Sequence, residues 1–146
     1  MSASSTDDSA GVGGVQTLTP SLLNIIRLAM LAGSVLFGVV AWYLTNSGQV
    51  EPSLSASGAS TMRVVFYVLL AGHLGGIWLL RQRADRAEAF QQRARLLIIG
   101  YALAEALVFF GAVYLLLTGN ASLFLGGLIV FLLAFLILPL RPPSER

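Results

Sequence analysis

The sequence contains no cysteine and no lysine, a single histidine, and few charged residues, which make up 11% of the chain. The absence of cysteine excludes disulfides, thiolate metal ligands and cysteine nucleophiles. A lone histidine cannot form a His-Glu-x-x-His metal motif, and the carboxylates are not clustered. We therefore expect no enzymatic activity, no metal and no cofactor.

Apolar residues dominate the chain instead. Hydrophobic side chains account for 56% of the residues, and the mean hydropathy is +0.80. About a quarter of the residues are charged in a typical soluble domain. A fold of 146 residues could not bury this much apolar surface, so the lipid bilayer must solvate part of it. This composition predicts an integral membrane protein.

Four stretches approach the roughly 20 apolar residues that a bilayer core of about 30 Å requires. They predict an all-α, integral membrane four-helix bundle, with helices at about 21–45, 61–80, 96–118 and 122–140. Pro20 suits the start of the first helix, and Gly119 suits the end of the third.

The transmembrane domain defined by these helices covers residues 21–141. Residues 1–20 are rich in Ser, Thr and Gly and lack the basic region of a signal peptide, so they predict a disordered cytoplasmic tail. Residues 142–146 predict a short second tail.

The link between the second and third helices, residues 81–95, carries five of the nine arginines. It has no Gly or Pro, and Arg81 and Asp85 can pair one turn apart, so we expect both helices to continue into it. The positive-inside rule places this link and both termini in the cytoplasm. No soluble domain remains to carry a nucleic-acid site.

An internal repeat relates the first and third helices. Residues 25–45 align without a gap on residues 98–118, and the matches include the Phe-Gly pairs at 37–38 and 110–111. Two interpretations remain open at this point. One is a duplicated transmembrane hairpin, giving two parallel repeats. The other is convergence on a generic apolar helix.

Three polar residues are expected inside the membrane. Glu105 follows Arg95 by ten residues, which places it about 15 Å deep, and an ionised carboxylate at that depth must be protonated, paired or next to water. His73 lies at a similar depth on the preceding helix, and Tyr101 is one turn from Glu105. The three residues predict an ion- or proton-binding cluster, while hydrogen bonding and packing between helices are the alternative role.

Small residues predict close helix packing, within the chain or between chains. The candidate packing glycines are Gly33, Gly38, Gly72, Gly76 and Gly100. Arg27 lies two turns into the first helix, where its side chain can extend to the inner surface.

The third helix resembles the second helix of the proteolipid c subunit of rotary ATP synthases, which reads G-x-A-L-x-E-A before an apolar Phe/Tyr-Gly step. The matching segment is Gly100–Gly111. The resemblance implies that Glu105 carries a proton or sodium ion. It covers about one helix, and the preceding helix carries His73 where that family has a dense glycine repeat. The chain also resembles small four-helix membrane proteins of bacteria, in which a similar glutamate-bearing third helix is followed by Leu-Thr-Gly-Asn, here at 117–120. This resemblance implies a location in a bacterial inner membrane.

Two functions follow from these features. The first is a non-enzymatic membrane subunit, such as an accessory, scaffold or oligomer-forming protein, with a second copy or a membrane-complex partner. The second is a proton- or cation-handling protein that uses Glu105.

Overall fold

The computed structural model describes residues 19–87 and 89–138, and it forms an all-helical bundle. The four helices are α1 (Pro20–Asn46), α2 (Ala56–Arg86), α3 (Phe90–Thr118) and α4 (Ser122–Ile137). Residues 1–18 of the predicted first tail and the whole predicted second tail, residues 142–146, lie outside the described residues. The last two residues of the first tail are described, and they form the beginning of α1.

Local chemistry explains where the helices begin and end. The Thr19 hydroxyl accepts a 3.2 Å hydrogen bond from the amide of Leu22, and Pro20 occupies the first helical position. Gly119 ends α3 with a positive φ of 73°, the left-handed conformation that glycine adopts without strain. The Gly119 amide donates to the carbonyl of Leu115 at 2.8 Å.

The two middle helices are longer than their apolar runs. Helix α2 begins at Ala56 and ends at Arg86, and α3 begins at Phe90. Hydropathy marks only the part of a helix that lipid can solvate. Helix formers carry both helices on into the arginine-rich link, as the lack of Gly and Pro there predicted.

The described part of α4 stops short of the predicted 122–140, of which residues 139 and 140 lie outside the described residues. It ends at Ile137, and Leu138 has left the helical conformation with φ −106° and ψ 70°. The next residue in the sequence is Pro139, and proline disfavours helical backbone in the residue before it.

Three helices, α1 to α3, are long and apolar enough to span a membrane. The 16 described residues of α4 are apolar, but they extend only about 24 Å, short of a full bilayer core.

Helix α3 lies at the centre of the bundle. It packs against the other three helices, most extensively against α4, whereas α1 barely contacts α2. Helix α3 contributes the fully buried rings of Tyr101 and Tyr114 to the main apolar core. Phe66 of α2 and Phe131 of α4 belong to the same cluster.

The connection between α1 and α2 folds over the end of α3. The Leu54 amide donates a 3.1 Å hydrogen bond to the carbonyl of Leu117, one of the last four carbonyls of α3, which lack partners within their own helix. This contact fixes the beginning of α2 against the central helix.

The internal repeat stays a prediction. Helices α1 and α3 carry the matching sequences, but the pairs α1–α2 and α3–α4 pack differently. A close hairpin forms only in the second pair, where glycines bring the two backbones together.

Candidate functional site

The candidate site is a polar contact in the apolar middle of the bundle. Glu105 lies near the middle of α3, and its carboxylate Oε1 accepts a 3.3 Å hydrogen bond from the hydroxyl of Ser34, near the middle of α1. Ser34 is fully buried, whereas Glu105 is only partly covered by its own chain. The carboxyl group of Glu105 is therefore partly accessible from outside the bundle.

Glu105 borders the one face of α3 that the other helices leave open. Helix α1 contacts one side of this face, where the ring centres of Phe37 and Phe109 lie 5.2 Å apart in an edge-to-face arrangement. Helix α2 contacts the other side, where Gly76 faces Leu103. Between them runs an exposed stripe of α3, which we call the open stripe: Ile99, Ala102, Ala106, Phe109 and Val113.

The centre of the open stripe is formed by small side chains. Ala102 and Ala106 are both exposed and lie one helical turn apart, directly next to Glu105. Two small residues at this spacing let another helix approach closely in a membrane. The partly exposed carboxyl group of Glu105 therefore lies beside a surface against which another helix can pack closely.

The three polar residues predicted to cluster each bond to a different partner. The His73 ring donates from Nδ1 to the carbonyl of Leu69 in its own helix at 2.6 Å. The Tyr101 hydroxyl donates to the carbonyl of Leu138, and Glu105 bonds to Ser34 of α1.

The reason for this separation lies in the position of each residue around α3. Glu105 lies on the side that faces α1, whereas His73 is on α2, which packs on the opposite side. A similar expected depth on two neighbouring helices is therefore not enough to bring the carboxylate and the imidazole together.

A second polar contact, centred on Arg27, was not predicted. The Arg27 guanidinium lies 4.2 Å from the Phe135 ring centre and 4.9 Å from that of Tyr101, within the range of cation–π attraction. Its Nη2 donates a 3.0 Å hydrogen bond to the Phe135 carbonyl. Instead of extending to the surface, Arg27 reaches inward to α3 and α4.

Arg27 and Tyr101 together cap the end of α4. The carbonyls of the last helical turn have no partner within the helix, and here Phe135 receives the guanidinium while Leu138, just beyond, receives the tyrosine hydroxyl. A cation at this end also complements the helix dipole. These contacts give hydrogen-bond partners to two carbonyls at the end of this short helix.

The predicted packing glycines divide into two groups. A side chain at Gly38 would overlap the Phe124 ring, one at Gly100 would press on Leu138, and one at Gly76 would make ordinary contact with Leu103. By contrast, Gly33 and Gly72 face open space. Gly38, Gly100 and Gly76 therefore take part in packing within the chain.

Two further glycines make the closest backbone contacts and were missing from the prediction. A Cβ atom on Gly111 would lie 2.5 Å from the Phe124 backbone, and one on Gly127 would lie 2.7 Å from the Leu107 carbonyl oxygen. The Phe-Gly step of the repeat was a sequence signal for Gly111. For Gly127, the Gly-Gly pair in an apolar run was the available signal.

The described residues offer no group of three His, Cys, Asp or Glu side chains that could hold a metal ion. The site therefore consists of one carboxylate, one hydroxyl and an apolar stripe. The fold defines an all-helical bundle with three helices long and apolar enough to span a membrane, and the contact between Ser34 and Glu105 lies near its centre. Comparison of the chain with protein-family models, curated proteins and solved structures gives no match.

Proposed function

We propose that this chain is a non-enzymatic, self-associating subunit of a membrane assembly, and that a second copy covers the open stripe of α3. The observation that carries the proposal is the partial exposure of Glu105 beside Ala102 and Ala106. A carboxyl group facing lipid at mid-membrane costs several kcal/mol, and such residues normally face protein or water.

A second copy suits this surface better than lipid does. Two chains inserted in the same direction present residue 105 at the same depth, so the two carboxyl groups can share a proton in a hydrogen bond. The small side chains of Ala102 and Ala106 allow the backbones to approach closely enough for this contact. In our proposal the arginine-rich link and both termini lie on the cytoplasmic side of a bacterial inner membrane.

Association in lipid tests the proposal. Donor- and acceptor-labelled copies are reconstituted in liposomes, and energy transfer is measured against the protein-to-lipid ratio. Because Ala106→Leu blocks close approach without touching the core, we expect it to weaken association roughly tenfold, equivalent to about 1.4 kcal/mol. The control Ala71→Leu, at an exposed alanine of α2, should leave association unchanged. A wild type that stays monomeric at every ratio contradicts the proposal.

A second candidate function is proton or cation handling at Glu105. It is favoured by the Ser34 hydroxyl 3.3 Å from the carboxylate, since carboxylate and hydroxyl oxygens are ligands that hard cations accept. The flux of protons, sodium or potassium into liposomes should then be abolished in the Glu105→Gln variant and partly reduced in the Ser34→Ala variant. Equal flux in wild type and Glu105→Gln, or none in either, overturns this candidate.

A further inference from the structure

The arginines of the α2–α3 link differ in what they bind within the chain. Asp85 contacts two of them: its carboxylate oxygens lie 4.0 Å from Arg81 Nε and 3.9 Å from Arg93 Nη2. Arg93 is 7% exposed and is held between the two helices. These three residues join the ends of α2 and α3 and leave the other arginines of the link for other partners.

Arg83 and Arg86 are exposed and form no ion pair with the described residues. Both line a recess of about 320 Å³ where α2 meets the beginning of α3, together with Gln92 and the apolar side chain of Leu96. The recess thus offers two guanidinium groups and an amide, which are donors suited to a phosphate group.

An apolar groove of about 240 Å³ continues from this recess along the seam between α2 and α3. Arg83 lines both, at the point where charged residues give way to apolar ones. The groove is otherwise lined by Gly76, Leu79, Leu80, Ile99 and Leu103. At Gly76 an added Cβ would only reach ordinary contact distance of Leu103, so there is room over the helix backbone.

The geometry points to a binding site for an anionic phospholipid. Its phosphate lies between Arg83 and Arg86, and one acyl chain follows the apolar groove towards Gly76. Gly76 and Arg86 are separated by ten helical steps, about 15 Å, which accommodates a headgroup and the upper part of an acyl chain. Basic pockets between membrane helices recognise anionic headgroups by this charge complementarity.

This inference does not depend on self-association, because the recess and the groove share only Ile99 with the open stripe, and neither Arg83 nor Arg86 belongs to the stripe. A phosphate group alone would occupy the recess and leave the groove empty, whereas a phospholipid needs both. The two possibilities can be separated by changing one part of the site at a time.

Native mass spectrometry of the full chain, titrated with phosphatidylglycerol, phosphatidylcholine or soluble glycerol phosphate, tests the inference. We expect phosphatidylglycerol to bind more tightly than phosphatidylcholine, and Arg83→Gln or Arg86→Gln to weaken its binding about tenfold, since each removes a charge-assisted contact. The matched control is Arg95→Gln, which removes the same charge from an exposed position outside the recess and should change affinity less than twofold.

A groove-filling variant, Gly76→Leu, retains every arginine. We expect it to weaken phosphatidylglycerol binding severalfold and to leave the weak binding of glycerol phosphate unchanged. Three results overturn the inference: Arg95→Gln weakens binding as much as Arg83→Gln, phosphatidylcholine binds as tightly as phosphatidylglycerol, or Gly76→Leu has no effect. Circular dichroism of each variant establishes that it is folded before the lipid is added.

Discussion

Gly127 lies directly against the backbone of Leu107. A Cβ atom built on Gly127 would stand 2.7 Å from the Leu107 carbonyl oxygen and 2.9 Å from its carbonyl carbon. Helix backbone cannot move aside as a flexible side chain can. The absence of a side chain at Gly127 therefore sets the distance between α3 and α4, the most extensive helix contact in the bundle.

Gly127→Ala should destabilise the bundle, because the added methyl group must push α4 away from α3. Overpacking of this kind costs about 1–3 kcal/mol. The free energy of unfolding in mixed detergent micelles measures the effect. The matched control is Gly75→Ala, since an added Cβ there meets no neighbouring atom within 4 Å. Equal stability of the two variants would show that α3 and α4 do not pack this closely.

Arg27→Gln should loosen the end of α4. The variant loses the stacking on Phe135 and Tyr101 and weakens the cap on the Phe135 carbonyl. These contacts contribute about 1–3 kcal/mol together. Hydrogen exchange of the chain in lipid nanodiscs should be faster in the last turn of α4 and unchanged in its first turn.

The control for this exchange measurement is Arg95→Gln, which removes an exposed arginine of α3. It should leave exchange in α4 at the wild-type rate. If Arg27→Gln also leaves it there, then Arg27 does not cap α4.

Tyr114→Phe should destabilise the contact between α2 and α3. The Arg63 Nε donates a 2.7 Å hydrogen bond to the hydroxyl of the fully buried Tyr114. Removing the hydroxyl leaves the ring packed but takes the acceptor of this hydrogen bond away. The midpoint of denaturant unfolding should fall. Tyr43→Phe, at an exposed ring of α1, should leave it unchanged, and an equal shift in both variants would argue against the bond.

The positions of the helices could be predicted because apolar runs, Pro20 and Gly119 are local signals. The continuation of α2 and α3 into the arginine-rich link was predicted from its lack of Gly and Pro. The start of α2 at Ala56 was missed, because residues 56–60 are small and add little hydropathy. The early end of α4 at Ile137 depends on the residue before Pro139, a signal that the apolar count alone does not include.

The candidate site was predicted in part. The depth of Glu105 follows from residue counting along one helix, and the structure places it near the middle of α3. Its partner, Ser34, could not be predicted, because that requires knowing which neighbour packs on each side of α3. The inward path of Arg27 was missed for the same reason: nothing in the sequence shows that the end of α4 lies within its reach.

Disulfide formation between two copies tests the central claim most directly, because the natural chain has no cysteine. A single cysteine is introduced as Ala106→Cys in the open stripe, and Ala71→Cys on α2 serves as the control. Disulfides form only when the two α carbons come within about 7 Å. Under mild oxidation in membranes at low protein density, we predict a covalent dimer for Ala106→Cys and none for Ala71→Cys. A monomeric Ala106→Cys, or equal cross-linking of both variants, would contradict self-association through this stripe.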